Sequence, residues 1–147
     1  MKTSEQTIVE LQQKGYKRTK NREAILNIIY SAAKPISAGD ILEKLAKQGL
    51  EPNKTTVYRK LDLLKQEGLI REVMIDSTTA YYERTDMHHH HHVICLNCKK
   101  ISDFHPNEEL EDSIEKTEQL LLKEKGFKTV QHSFEFFGYC AGCVFNV

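Results

Sequence analysis

The sequence predicts an α+β protein of two modules: an N-terminal winged helix-turn-helix domain over residues 1–85 and a C-terminal α/β domain with a four-cysteine zinc site over residues 86–147. Three observations carry that prediction. Apolar residues recur at helical spacing through the first half and give way to alternation near residues 69–84. The cysteines fall in two Cys-x-x-Cys pairs, both in the second half. Charge is also divided unevenly. Residues 1–85 carry 15 Lys/Arg against 11 Asp/Glu, whereas residues 86–147 carry 6 against 10 and hold all seven histidines. One module is thus suited to a polyanion and the other to cations. Apolar residues make up 39% and charged residues 29% of the 147, as expected of a soluble chain. There is no apolar run long enough to cross a membrane and no signal-peptide core near the start, so a cytoplasmic protein without membrane partners is expected.

The elements of the first half follow in order. Residues 4–14 and 21–32 read as helices, the second with Ile25, Ile28 and Ile29 on one face. Pro35 breaks the chain. Ser37 then stands as N-cap to a helix whose buried face is Ile41, Leu42 and Leu45, and Gly49 ends it. Asn53 caps the next helix, with Val57, Leu61 and Leu64 inward and Gly68 as terminator. LIREVMID and AYYER form a hairpin across Ser77-Thr78-Thr79.

In a winged helix-turn-helix the helix after the turn enters the major groove by its N-terminal end. Thr55, Thr56, Tyr58 and Arg59 crowd that end here. Threonine methyls and a tyrosine ring can meet a thymine methyl, and arginine can reach guanine or phosphate. Lys17, Arg18, Lys20 and Arg22 are placed to grip the backbone, which positions a protein without reading sequence. Double-stranded DNA is the expected partner. A solvated basic helix face is the plainer reading for any one of these residues, and less so for the set.

In the second half, Cys95, Cys98, Cys140 and Cys143 match the spacing of a tetrahedral four-cysteine zinc site, because a two-residue gap lets both sulfurs of a pair face one ion. A redox dithiol is the competing reading. Between the pairs, KKISDFH reads as a strand. Residues 107–125 read as a helix with Leu110, Ile114 and Leu121 inward, stopped by Gly126, and TVQHSFEFFGYC as a strand leading to the second pair.

The run His88–His92 immediately precedes Val93-Ile94-Cys95 and should be extended. Side chains alternate in a strand, so His88, His90 and His92 point one way and His89 and His91 the other. Each face then offers a His-x-His pair for a separate ion. Glu83, Asp103, Glu111 and His132 are at hand to complete the shells, whereas His88 and His105 are expected in solvated loops.

The stretches GYKRTKNREAIL, TTVYRKLDLLKQEGLI, HHHHHVICLNCKKISDF and QHSFEFFGYCAGC together resemble the ferric uptake regulator family of metal-responsive bacterial repressors, over nearly the whole chain. The resemblance implies a winged-helix DNA-binding domain including the hinge, a C-terminal α/β dimerisation domain, a homodimer on a palindromic operator, and repression of metal-homeostasis genes when metal is bound. It assigns Cys95, Cys98, Cys140 and Cys143 to structural Zn(II). It assigns His89, His91, Glu111 and His132 to a site in the dimerisation domain, and Glu83, His90 and His92 to a regulatory site near the hinge. Tyr58 and Arg59 match DNA-contacting positions and Lys17 a basic residue near the minor groove. Pro35 stands where the family often has a histidine ligand, and Asp103 is placed to compensate, as in peroxide sensors. The sensed metal is expected to be Fe(II) or Zn(II), with Mn(II) also compatible with His and carboxylate donors. A peroxide- or manganese-sensing member is the alternative within the family. A metalloenzyme using three histidines and a carboxylate, or a metal buffer, would leave the DNA-reading half unexplained.

Overall fold

A computed structural model describes residues 1–146 and divides them between two compact units, Met1–Met87 and one beginning at His88. The boundary lies at the edge of the histidine run, two residues beyond the expected one.

The first unit is built as α1 (Ser4–Gln13), α2 (Lys20–Ser31), β1 (Ile36–Ser37), α3 (Ala38–Lys47), α4 (Lys54–Gln66), β2 (Ile70–Met74) and β3 (Ala80–Arg84). Each helix starts on a side chain that satisfies an otherwise orphaned amide. Ser37 accepts from the Asp40 N–H and Asn53 from the Thr56 N–H, as expected, while Thr3 and Gln6 form a reciprocal capping box at α1. The inward residues Ile25, Ile29, Ile41, Leu45, Val57, Leu61 and Leu64 are at most 1% exposed and form one continuous core. Leu42 is only half-buried at its margin. Two strands were expected, but three form: β2 and β3 pair antiparallel with Val73 opposite Tyr81, and the two-residue β1 adds to the other edge of β3. So short a strand carries no periodic signal. The result is a helical core with a β-wing, in which α4 follows α3 across a short turn.

The second unit comprises β4 (His91–Cys95), β5 (Ile101–Phe104), α5 (Glu108–Lys125), β6 (Glu135–Gly138) and a 3-10 turn (Val144–Asn146). The sheet order is β5-β4-β6, with β4 antiparallel to β5 and parallel to β6. A parallel neighbour needs a long crossover, and α5 supplies it. Asn107 caps α5, and Gly126 ends it at φ 62°, a left-handed conformation that glycine adopts without the Cβ clash.

Three expectations change here. The extended run begins at His91 rather than His88, because only from there does β4 find partners on β5 and β6. The long strand before Cys140 shortens to Glu135–Gly138, leaving residues 127–134 without regular structure. Leu110, Ile114 and Leu121 share a face of α5, yet no residue of that helix is buried, and Leu110 and Leu121 are more than a third exposed. An amphipathic pattern says that a face needs cover, not that the same chain provides it.

The packing predicts where stability resides. Leu61→Ala removes a fully buried side chain and should cost the first unit about 2–5 kcal/mol. Urea unfolding followed by circular dichroism should show its transition moving to lower denaturant.

Candidate metal centres and nucleic-acid surface

The sheet of the second unit gathers the four cysteines at one end. Cys95 is the last residue of β4, and pairing of Cys95 with Gly138 places Cys140 two residues past the end of β6. Cys98 sits in the tight turn between β4 and β5, closed by hydrogen bonds from Lys99 N–H to the Cys95 carbonyl and from Cys95 N–H to the Lys100 carbonyl, both 2.9 Å. Lys99 adopts φ 60° to complete this turn, a strained choice for a residue with a side chain. No sequence signal marks it, since glycine is the usual occupant. The second pair closes similarly, with Cys143 N–H donating to the Cys140 carbonyl at 2.8 Å.

All four sulfurs lie within 4.8 Å of one another, and none is in a disulfide. Cys98 Sγ and Cys140 Sγ are 3.8 Å apart. A tetrahedral zinc with Zn–S bonds near 2.3 Å would set its sulfurs about 3.8 Å apart, so the cluster fits that ion. Backbone N–H groups of Cys140 and Cys98 favour the Cys95 thiolate and lower its pKa to about 6. At Cys143 the Asn97 side chain pulls the value down, but hydrogen bonding among the neighbouring thiols and burial push it up to about 11. Without a cation, four crowded thiols cannot all ionise; a divalent ion takes the place of the protons.

The second cluster is His89, His91, Glu111 and His132. His89 Nε2 lies 3.1 Å from Nε2 of both His91 and His132. Glu111 Oε1 is 3.0 Å from His91 Nε2 and 3.4 Å from that of His89, and Oε2 is 3.5 Å from His132 Nε2. Nitrogen and oxygen ligands about 2.0–2.1 Å from a tetrahedral ion stand about 3.3–3.4 Å apart, so this cluster also has the dimensions of a metal shell. Burial lowers the pKa of His91, outweighing the Glu111 hydrogen bond that raises it. Burial works against the Glu111 charge, yet the His91 hydrogen bond and the neighbouring imidazoles hold its pKa below the usual carboxylate value. Neutral imidazole and ionised carboxylate are the forms that ligate.

The even-numbered histidines go elsewhere. His90 and His92 are buried with their rings edge to face at 4.9 Å, and His90 Nδ1 is 2.7 Å from the His88 carbonyl. Glu83 belongs to the first unit, where it is 4% exposed and paired with Arg71 at 2.6 Å across β2 and β3. Asp103 is aligned with His92 on β5 but is exposed and joins none of the donor clusters among the described residues. As expected, His88 and His105 are exposed, although the His105 ring stands 6.4 Å from that of His90.

On the first unit, Thr55, Tyr58 and Arg59 are exposed at the start of α4, with Thr56 half-buried beside them; Lys17 and Lys20 are exposed near the start of α2. Two basic residues depart from expectation. Arg18 is held by Glu5 and Glu23, so its charge is already paired. Arg22 is buried, and its guanidinium donates to the Lys17 carbonyl, fixing the loop that presents Lys17 instead of reaching outward. Basic composition alone does not separate outward from inward arginines.

A winged helix with an exposed polar helix start, joined to a unit rich in thiol and imidazole clusters, defines a metal-responsive DNA-binding regulator. The profile of the ferric uptake regulator family matches residues 13–137, and the chain belongs to that family. It is 30% identical over 137 residues to the ferric uptake regulation protein of Neisseria meningitidis, covering 92% of each chain. It is 32% identical to the peroxide operon regulator of Bacillus subtilis, covering 90% of this chain and 88% of that one. The Helicobacter pylori ferric uptake regulator, whose structure is described as revealing three functional metal-binding sites, superposes with a TM-score of 0.78 at 26% identity, over 97% of this chain and 94% of that one. Members of the family are dimeric, metal-responsive, DNA-binding transcription regulators and not enzymes. Among the described residues, no helix is long and apolar enough to cross a membrane.

The thiol geometry predicts that Cys140→Ser lowers zinc content by one ion per chain in metal analysis of purified protein, with loss of sheet signal from the second unit. Unchanged zinc would remove the cluster from consideration.

Proposed function

We propose that the protein is a homodimeric repressor that binds a palindromic operator when its histidine–carboxylate sites hold Fe(II) or Zn(II), with structural Zn(II) on Cys95, Cys98, Cys140 and Cys143. The observation that carries this reading is the division of donors in the second unit. Four thiols form one cluster with tetrahedral spacing, and His89, His91, Glu111 and His132 form another with shorter spacing suited to nitrogen and oxygen ligands. Soft thiolate donors select zinc, whereas mixed imidazole and carboxylate donors suit Fe(II), Zn(II) and Mn(II) alike. The donor chemistry therefore separates a site selective for zinc from sites open to other divalent ions.

His90 and His92 are the regulatory pair in this reading, and the family resemblance adds Glu83 as a further ligand. Metal favours the DNA-competent arrangement only by binding it more tightly than the alternative, with couplings of about 1–3 kcal/mol typical. Tyr58, Thr55, Thr56 and Arg59 read base edges or phosphates from the start of α4. Lys17 contacts the backbone, and Arg22 supports it from below. The exposed leucines of α5 and the exposed Phe136 and Phe137 of β6 supply apolar surface for a second copy. Peroxide sensing is the second reading, favoured by the Bacillus subtilis relative and weakened by the position of Asp103 outside the donor clusters.

Two outcomes are expected. His90→Ala with His92→Ala should leave dimer mass and structural zinc intact but abolish the metal dependence of operator binding, whereas His89→Ala with His91→Ala should weaken the inner site. Identical behaviour of the two double mutants in parallel metal titrations would contradict the division of labour. Tyr58→Ala should weaken operator binding more than random DNA. Lys17→Ala should weaken both and reduce the slope of log K against log salt by about 0.9. Equal losses for Tyr58→Ala on both DNAs would exclude base reading.

A further inference from the structure

We propose that Glu118 is a positioning residue for the inner histidine–carboxylate site. It fixes the ring of His132 so that Nε2 is bare and aimed at the metal. This rests on the reading of His89, His91, Glu111 and His132 as a metal site.

His132 lies in the stretch 127–134, which has no regular structure, so no ladder of backbone hydrogen bonds orients its ring. Its two nitrogens meet different partners. Nε2 faces the cluster, 3.1 Å from His89 Nε2 and 3.5 Å from Glu111 Oε2. Nδ1 faces away from it, 2.8 Å from Glu118 Oε1. Glu111 and Glu118 are two helical turns apart on α5 and so share a face, and the imidazole is held between their carboxylates.

A neutral imidazole carries one proton, and the acceptor at one nitrogen decides where it resides. An ionised carboxylate only accepts, so Glu118 draws the proton to Nδ1 and leaves the Nε2 lone pair free. Metal-bound histidines commonly donate their second N–H to a carboxylate in this way, which fixes the tautomer and raises ligand basicity. His91 is set differently, because its Nδ1 faces a donor, the Phe134 N–H at 3.3 Å. The Nε2 proton of His91 must leave or move when a metal arrives. His132 needs no such rearrangement and is the histidine prepared in advance.

The test uses full-length, zinc-loaded protein labelled with nitrogen-15, with the histidine ring nitrogens read by long-range proton–nitrogen correlation before and during addition of zinc ions. Before addition, His132 should carry its proton on Nδ1, and zinc should then shift the Nε2 resonance. Glu118→Ala should mix the two tautomers and weaken zinc binding at this site by about 10–100-fold, measured by competition with a chromophoric chelator. Glu118→Gln retains an acceptor and should preserve the tautomer with a smaller loss of affinity; if the alanine variant does not fold, the glutamine variant carries the test through those two readings. A wild-type His132 protonated on Nε2, or an alanine variant with wild-type zinc affinity, would overturn the role of Glu118. A wild-type His132 ring that does not respond to zinc would instead overturn the inner site itself, whatever tautomer Glu118 had set.

Discussion

Everything in the second unit depends on the need to bring four sulfur atoms to one end of a three-stranded sheet. Among the described residues, that unit buries few apolar side chains: Ile94 and Ile101, with the cysteines Cys95 and Cys143, lie inside, while its longest helix buries nothing. Within one chain, a unit of such size has too little apolar interior to offset the entropy of ordering its backbone. A zinc–thiolate cross-link between the ends of β4 and β6 and the β4–β5 turn can stabilise it by an apparent 10–16 kcal/mol or so. The cost of holding Lys99 in a left-handed conformation, about 1–2 kcal/mol, is small on that scale. The first unit has no such requirement, because its helices enclose a continuous apolar core.

The strand β4 links the two kinds of site. Its C-terminal end carries Cys95 and its N-terminal end His91 and His92. Fixing one end fixes the register of the other, and a slip of one residue would exchange the faces to which His91 and His92 point. The thiol cluster and the imidazole clusters are therefore tied through strand register, without sharing a side chain. The sheet also explains why histidines consecutive in sequence separate: His91 stacks on Phe134 at 3.6 Å and joins Glu111, while His92 pairs with His90.

Much of this was legible in the sequence, and particular residues show why. Ser37 and Asn53 announce helix starts because their side chains satisfy amides nearby in the chain. The cysteine pairs announce a cluster of four thiols because ligand spacing is local. The odd–even division of the histidines follows from the geometry of an extended chain, and the structure groups His89 with His91 and His90 with His92 although the strand proper begins only at His91. What was not legible depends on tertiary contacts. Arg22 turns inward to the Lys17 carbonyl, Arg18 is taken up by two glutamates, and Asp103 lies beside His92 yet outside the donor clusters. Glu118 had no signal at all, because its partner His132 comes from a segment without periodicity.

The central claim is that metal on the four thiols, rather than apolar packing within one chain, holds the second unit together. Amide hydrogen exchange of the full-length protein, with zinc and after removal of zinc by a strong chelator under reducing conditions, tests it most directly. The account predicts that protection in 91–95, 101–104 and 135–138 is lost with the zinc while α2, α3 and α4 keep theirs. Undiminished protection of those three strands after the zinc has gone would contradict it.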